Sequence, residues 1–178
     1  MPPISNQRSN QWVTNPKPNP NAQLRLFCFS YAGGGTTLFH SWKEALPATV
    51  ELRPIRLPGR ESRLSEKPFT RFADLIEPLT QGILPLLDRP FAFYGHSMGS
   101  LVAFEVARRL RRLGMVGERG PRQLLVSGCR APHLPDPEPA VGHLSDAEFI
   151  SNLRRLNGTP QAVFDNPEIL ELLLPCIR

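Results

Sequence analysis

Phe91-Ala92-Phe93-Tyr94-Gly95-His96-Ser97-Met98-Gly99-Ser100-Leu101-Val102-Ala103 is the stretch that decides the fold. It opens on an apolar run, Phe91–Tyr94, that reads as a strand, and it closes in a helical pattern running from Met98 to Leu113. Between the two, Gly95-His96-Ser97-Met98-Gly99 fits a nucleophile elbow, a tight strand-to-helix turn that pushes the serine hydroxyl clear of the backbone. Small residues two positions to either side let the chain turn without a clash. Because Met98 opens the helix, its N–H points toward any oxyanion forming at Ser97. The plain alternative is a turn serine that satisfies a backbone group, and the surrounding sequence has to decide between them.

The same rhythm extends outward in both directions. Strand-like runs fall at Leu24–Ser30, Val50–Arg56 and Gln123–Ser127, with helical patterns at Thr37–Leu46 and Arg71–Leu87 between them. Strands alternating with helices imply an α/β fold, a mostly parallel sheet with crossover helices. Within Arg71–Leu87, Phe72, Leu75, Ile76, Leu79, Ile83 and Leu86 recur at helical spacing, while Pro78 and Pro85 predict a kink or a break. On the helix from Met98, the predicted buried side is Leu101, Val102, Ala103, Val106, Leu110 and Leu113.

After Ser127 the texture changes. Ala131–Pro139 carries four prolines and reads as a loop. Ser145-Asp146-Ala147-Glu148 is a capping box that opens a short helix to about Leu156, stopped by Asn157-Gly158-Thr159-Pro160. Asn166-Pro167-Glu168 supplies an N-cap, a proline at the first helical position and a first-turn acid, launching Ile169–Leu174. Two short helices after a sheet strand read as a lid. The expected organisation is a disordered leader over 1–23, a core over 24–130 and a lid insertion over 131–178.

Bulk properties narrow the function classes. A chain of 178 residues suits one domain, and 40 % hydrophobic with 21 % charged residues is ordinary for a globular protein. No apolar run approaches the roughly 18 residues that span a bilayer, so no membrane association is expected. Met1–Gln23 is rich in Asn, Pro, Ser and Gln without an apolar stretch, which excludes a secretory signal and predicts disorder. Cys28, Cys129 and Cys176 show no metal-ligand spacing. Cys28, inside Leu26-Phe27-Cys28-Phe29, reads as a buried small hydrophobe, and an odd cysteine count without a signal points to a reducing cytoplasm. The net charge of +5 peaks at Arg108-Arg109-Leu110-Arg111-Arg112. Those arginines fit the water-facing side and C-terminal end of a helix, and no nucleic-acid motif accompanies them. A basic surface for an acidic protein partner is the better reading.

Several blocks then coincide in order: Phe29-Ser30-Tyr31-Ala32-Gly33-Gly34-Gly35, Leu57-Pro58-Gly59-Arg60-Glu61-Ser62-Arg63, Tyr94–Ser100, Ser127-Gly128-Cys129-Arg130-Ala131-Pro132 and Leu153–Pro160. Together, from about Leu24 to Arg178, they resemble the type II thioesterases, free-standing α/β-hydrolases that serve nonribosomal peptide and polyketide synthetases in antibiotic biosynthesis. The resemblance implies hydrolysis of acyl or aminoacyl groups carried on the phosphopantetheine arm of partner carrier domains, with no bound cofactor and no metal. It makes Ser97 the nucleophile and the backbone N–H groups of Met98 and Ala32 the oxyanion hole. Gly33-Gly34-Gly35 lets the backbone approach that oxygen closely; without Ser97 these glycines would read as a flexible loop. Leu57–Arg63 looks like a fingerprint with no assigned chemistry, and Arg60 with Glu61 reads as a structural pair. In the lid, Leu144, Phe149, Leu153, Val163, Phe164, Leu170, Leu173 and Leu174 are candidates to cover an acyl chain or to pack against the body.

A serine nucleophile needs a histidine base oriented by a carboxylate, in the order Ser, Asp or Glu, His, each on a loop after a later strand. His40 precedes Ser97, His96 lies inside the elbow, and His133 and His143 fall in the lid with no strand ahead of them. The resemblance places the acid either after Gln123–Ser127, where Gly128 and Cys129 stand, or one strand later. The expectation is therefore a sequence that stops before its acid and base, with impaired hydrolysis and an exposed edge at Gln123–Ser127. The alternatives are a non-catalytic module that docks a carrier domain and a general esterase of the same fold.

Overall fold

The structure, a computed structural model, describes residues 10–15, 18–135, 141–156 and 158–178. Four strands, β1 (Leu24–Phe29), β2 (Val50–Pro54), β3 (Phe91–His96) and β4 (Leu124–Ser127), form one sheet in the order β2-β1-β3-β4. Every pairing is parallel, with Leu26 opposite both Leu52 and Ala92, and Tyr94 opposite Leu125. Parallel neighbours need crossovers, and the chain supplies them. A 3-10 turn (Thr36–Phe39) and α1 (Trp42–Ala45) join β1 to β2, α2 (Phe72–Ile83) joins β2 to β3, and α3 (Met98–Arg112) joins β3 to β4. Beyond β4 come α4 (Asp146–Leu156), α5 (Gln161–Phe164) and α6 (Pro167–Ile177).

Alternation along the strands builds two cores. Phe27 and Phe29 of β1 and Phe91 and Phe93 of β3 point to one face, where they meet Leu75, Ile76, Leu79 and Ile83 of α2 and Val102, Val106 and Leu110 of α3. Leu26, Cys28 and Ala92 point to the other, under Phe39, Leu52 and Trp42. Edge-to-face packing of Phe27 on Phe93 (6.0 Å) and of Phe29 on Phe93 (5.4 Å) fixes the first cluster. Each fully buried phenylalanine contributes about 1.5–3 kcal/mol relative to exposure. Cys28 is buried and free, and burial pushes its thiol pKa far up, so it is inert packing. At the N-terminal end of the sheet, Glu51 is buried and joined to Arg25 Nε (2.8 Å) and Arg53 Nη2 (3.0 Å).

Four expectations need correction. Asn10–Asn15 is no disordered leader: Trp12 and Val13 are buried, Val13 bridges Ile55, and Arg56 N–H donates to Trp12 O at 2.8 Å. Trp12 lies against Gly82 of α2, where a Cβ would come within 2.1 Å ring contact of the indole if it did not shift. Of the other leader residues, 18–23 are described, with Ala22 buried, while 1–9 and 16–17 lie outside the described residues, as do 136–140 of the proline-rich loop and Asn157 of the helix-stop signal. In α3, Leu101 and Leu113 are exposed, because the buried stripe runs through Gly99, Val102, Ala103, Val106 and Leu110 and Leu113 caps the end. Of the kink or break expected in Arg71–Leu87, Pro78 brings no break, since α2 runs through it to Ile83, whereas the break falls before Pro85, which lies in a separate 3-10 turn over Leu84–Leu86. The last segment holds a third helix, α5, and α6 extends through Pro175 to Ile177.

Candidate active site

Ser97 sits where β3 becomes α3, with φ 53° and ψ −122°. Such a backbone is uncommon for a residue with a Cβ, and it holds here because both flanks leave no choice. A Cβ on Gly95 would lie 2.4 Å from Gly99 O, and one on Gly99 would lie 2.2 Å from Phe29 O. Ser97 N–H donates to Ser127 O at 2.8 Å, tying the turn to β4. The Ser100 hydroxyl lies 2.7 Å from Gly95 O and 3.0 Å from Ser127 O, and it accepts from Ser127 N–H at 3.2 Å. One buried hydroxyl thus knots β3, α3 and β4 directly beneath the elbow.

The loop Tyr31–Gly35 leaves β1 beside this turn. Gly34 N–H donates to Tyr31 O at 2.9 Å, and Gly33, at φ 75°, donates to Cys176 O of α6 at 3.2 Å. Among the described residues, no carbonyl or side chain accepts from the N–H of Ala32 or of Met98. Two donors therefore stand uncommitted on the two loops at the C-terminal ends of β1 and β3, the end where open α/β sheets bind ligands.

The Leu57–Arg63 block reaches the same loop. Arg60 is buried and its Nη1 donates to Gly34 O at 3.1 Å, while Glu61 accepts from Thr36 N–H at 2.6 Å and Thr37 N–H at 3.1 Å. This corrects the expected Arg60–Glu61 pair. Glu61 has φ 51°, which turns its side chain to the Thr36 end of the loop while Arg60 goes to Gly34. Burial pulls the Arg60 guanidinium below its ordinary range, and the Cys176 thiol and Glu61 carboxylate oppose that shift. Next to Met98 opens a small cavity, ≈ 80 Å³, lined by Leu57, Phe69, Phe72, Leu75 and Ile177 with Arg60. Of the lid candidates, Phe149 and Phe164 are buried, under Arg178 and Arg154 respectively, and the others are half-buried.

Among the described residues, no histidine bonds to Ser97. His40 is exposed and lies 2.9 Å from Lys43 Nζ, and His96 Nδ1 lies 3.2 Å from Ser127 Oγ with its ring edge-on to Tyr31. His133 and His143 are exposed on the segment after β4. Among the described residues no side chain hydrogen-bonds the Ser97 hydroxyl. Gly128 stands at φ 65°, and a Cβ there would lie 2.5 Å from His96 Cε1, so a side chain directly after β4 would have to displace the His96 ring and hold a left-handed backbone.

Residues 24–178 match the thioesterase domain model. The chain belongs to the thioesterase domain family. It is 47 % identical over 171 residues to the linear gramicidin dehydrogenase LgrE of Brevibacillus parabrevis, covering 94 % of this chain and 64 % of that protein. It is 44 % identical over 169 residues to the gramicidin S biosynthesis protein GrsT of Aneurinibacillus migulanus, covering 95 % and 65 %. The chain thus spans less than two thirds of the length of these relatives. Among solved structures it resembles RedJ, the thioesterase of the prodiginine pathway in Streptomyces coelicolor, at TM-score 0.78 and 38 % identity, covering 92 % of this chain and 63 % of that one. It also resembles BorB, the type II thioesterase of the borrelidin cluster, at TM-score 0.77 and 34 % identity, covering 97 % and 69 %. The fold is that of the α/β-hydrolases. Among the described residues, no helix is long and apolar enough to cross a membrane.

Proposed function

We propose that this thioesterase-family chain carries the nucleophile of a type II thioesterase, one that releases acyl or aminoacyl groups from the phosphopantetheine arms of carrier domains in the cytoplasm. What supports this reading is the strained backbone of Ser97 at the end of β3, next to Met98 and near the loop of Ala32, two residues whose N–H groups have no acceptor among the described residues. Ser97 Oγ attacks the thioester carbonyl, the carbonyl oxygen becomes an oxyanion, and those two donors hold it. The C–S bond then breaks, and the pantetheine sulfur leaves as a thiol with the proton that the Ser97 hydroxyl gave up. Water attacks the acyl-Ser97 ester, and the free acid departs with Ser97 restored. One lost oxyanion donor typically costs about 10²–10³ in rate. The basic surface and α4–α6, with the ≈ 80 Å³ cavity beside Met98, are where an acidic carrier domain and a short acyl group would sit.

The dehydrogenase name of one relative is not carried over to this chain. After β1 the glycines lead into a 3-10 turn of four residues, Thr36–Phe39, which lacks the helix N-terminus that seats a dinucleotide pyrophosphate.

A second reading is a non-catalytic module that docks a carrier domain, favoured by the absence, among the described residues, of any imidazole bonded to Ser97. Elbow and oxyanion donors without a base can still give about 10³–10⁴-fold catalysis over water. The deciding measurement is hydrolysis of an acyl-carrier thioester, set beside a simple oxygen ester, by the native chain and Ser97→Ala. Turnover lost on Ser97→Ala and selective for the thioester supports the enzyme. Carrier binding with turnover equal in both proteins supports the module, and preference for the oxygen ester supports a general esterase.

A further inference from the structure

Among the described residues, two that are not glycine hold a left-handed backbone: Ser97 at φ 53° and Glu61 at φ 51°. The elbow accounts for the first. Such outliers persist only where the surroundings over-determine them, and they cluster at functional sites. The surroundings of Glu61 are one end of the loop that carries Ala32.

The 3-10 turn Thr36–Phe39 begins at Gly35, which has no side chain to cap it. Glu61 supplies the cap from 25 residues away. Its Oε1 accepts from Thr36 N–H at 2.6 Å and Thr37 N–H at 3.1 Å, and its Oε2 accepts from Thr36 Oγ at 2.8 Å. A Cβ on Gly35 would lie 2.4 Å from Glu61 Oε1, so the last glycine of the run makes room for this carboxylate. One residue earlier, Gly34 O accepts from Arg60 Nη1 at 3.1 Å and from Ser30 Oγ at 2.8 Å. Tyr31–Gly35 is thereby pinned at its downstream end, while the Ala32 N–H has no acceptor among the described residues.

We infer that Glu61 is a positioning residue for the oxyanion hole: its carboxylate, held out by a left-handed backbone, fixes the loop that presents the Ala32 N–H. This rests on the reading of Ala32 as an oxyanion donor. Glu61 is itself exposed, so replacing it leaves the sheet cores untouched. The left-handed backbone also favours glycine, so Glu61→Gly removes the carboxylate and the strain together. A purely structural residue would lose stability and activity in step, whereas a positioning residue separates them.

The experiment compares the native chain, Glu61→Gly and Glu61→Gln in acyl-carrier thioester hydrolysis, thermal melting, and amide exchange of the peptide spanning residues 31–37. A misplaced donor affects the transition state more than substrate binding. Glu61→Gly is expected to lower kcat by about tenfold or more with KM within about twofold. Its exchange over 31–37 should accelerate by about tenfold, with no drop in melting temperature. Glu61→Gln, whose amide oxygen still accepts from Thr36 and Thr37, should recover most of both losses. An unchanged kcat in Glu61→Gly, unchanged exchange over 31–37, or kcat and melting temperature falling together without rescue by glutamine would overturn the inference. If the native chain shows no Ser97-dependent turnover, the thioesterase reading fails separately. Loop exchange then decides the positioning role: acceleration in Glu61→Gly with protection in Glu61→Gln supports it, and no change overturns it.

Discussion

The centre of the sheet and its β4 edge are built on different terms. On β1 and β3, Phe27, Phe91 and Phe93 are at most 1 % exposed, and successive side chains alternate cleanly between two apolar layers. On β4, Leu125 is 44 % and Val126 40 % exposed, so neither face of the strand is sealed among the described residues. Apart from half-buried Leu124, which packs on the first cluster, what holds β4 is polar: the ladder to β3, Ser97 N–H on Ser127 O, and the Ser100 knot. Stability is concentrated in the middle of the sheet, and the Ser97 turn sits on the seam between that middle and its lightly held neighbour. The elbow can therefore be perturbed from the β4 side without unfolding the centre.

The contrast is broken most directly at Phe93. Phe93→Ala should cost about 3–5 kcal/mol in chemical denaturation, whereas Leu125→Ala should cost less than about 0.5 kcal/mol. Equal losses would mean that β4 shares the central core. Glu51→Gln comes next, at about 2–3 kcal/mol, because it takes the carboxylate from half-buried Arg53 and one of two carboxylates from buried Arg25, which keeps Asp88. Burial of Glu51 raises its pKa, but the Asn19 N–H bond and the two arginines outweigh that, so the folded-state value is lowered. A lowered carboxylate stabilises the fold above its unfolded pKa of about 4.3 and loses that contribution as pH falls through the folded value. Denaturation from pH 7 down to pH 3 should therefore show a loss in the native chain that is reduced in Glu51→Gln. The smallest effect sharpens the seam. Ser100→Ala should cost about 1–2 kcal/mol, and amide exchange should accelerate in residues 124–127 while β1 stays protected.

Much of this was legible in the chain itself. The strands were readable because their apolar runs are short and bounded by turn residues, and the elbow because its glycines answer a steric demand three to five residues wide. Ser145–Glu148 and Asn166–Glu168 were readable as caps for the same reason: both partners lie within one turn, and Ser145 N–H does donate to Glu148 at 3.0 Å. What escaped depends on partners far apart along the chain. Nothing near Trp12 announces that it docks on α2, although Gly82, a glycine inside an amphipathic pattern, was a signal of close approach. Adjacency made Arg60 and Glu61 look like partners, and only the left-handed backbone at Glu61 separates them. No histidine follows a later strand in the sequence, and among the described residues none bonds to Ser97.

The N-terminal contact has a spectroscopic consequence. The chain contains two tryptophans, and they fall on opposite faces of the sheet. Trp12 lies in the layer with α2 and α3, with the Arg63 guanidinium 4.4 Å over its ring. Trp42 lies in the other layer, with its ring centroid 4.9 Å from that of Tyr94, the residue three before Ser97. Nature has labelled each side once, so the light emitted by one indole follows the packing of the helical layer, and that of the other follows the strand leading into the elbow.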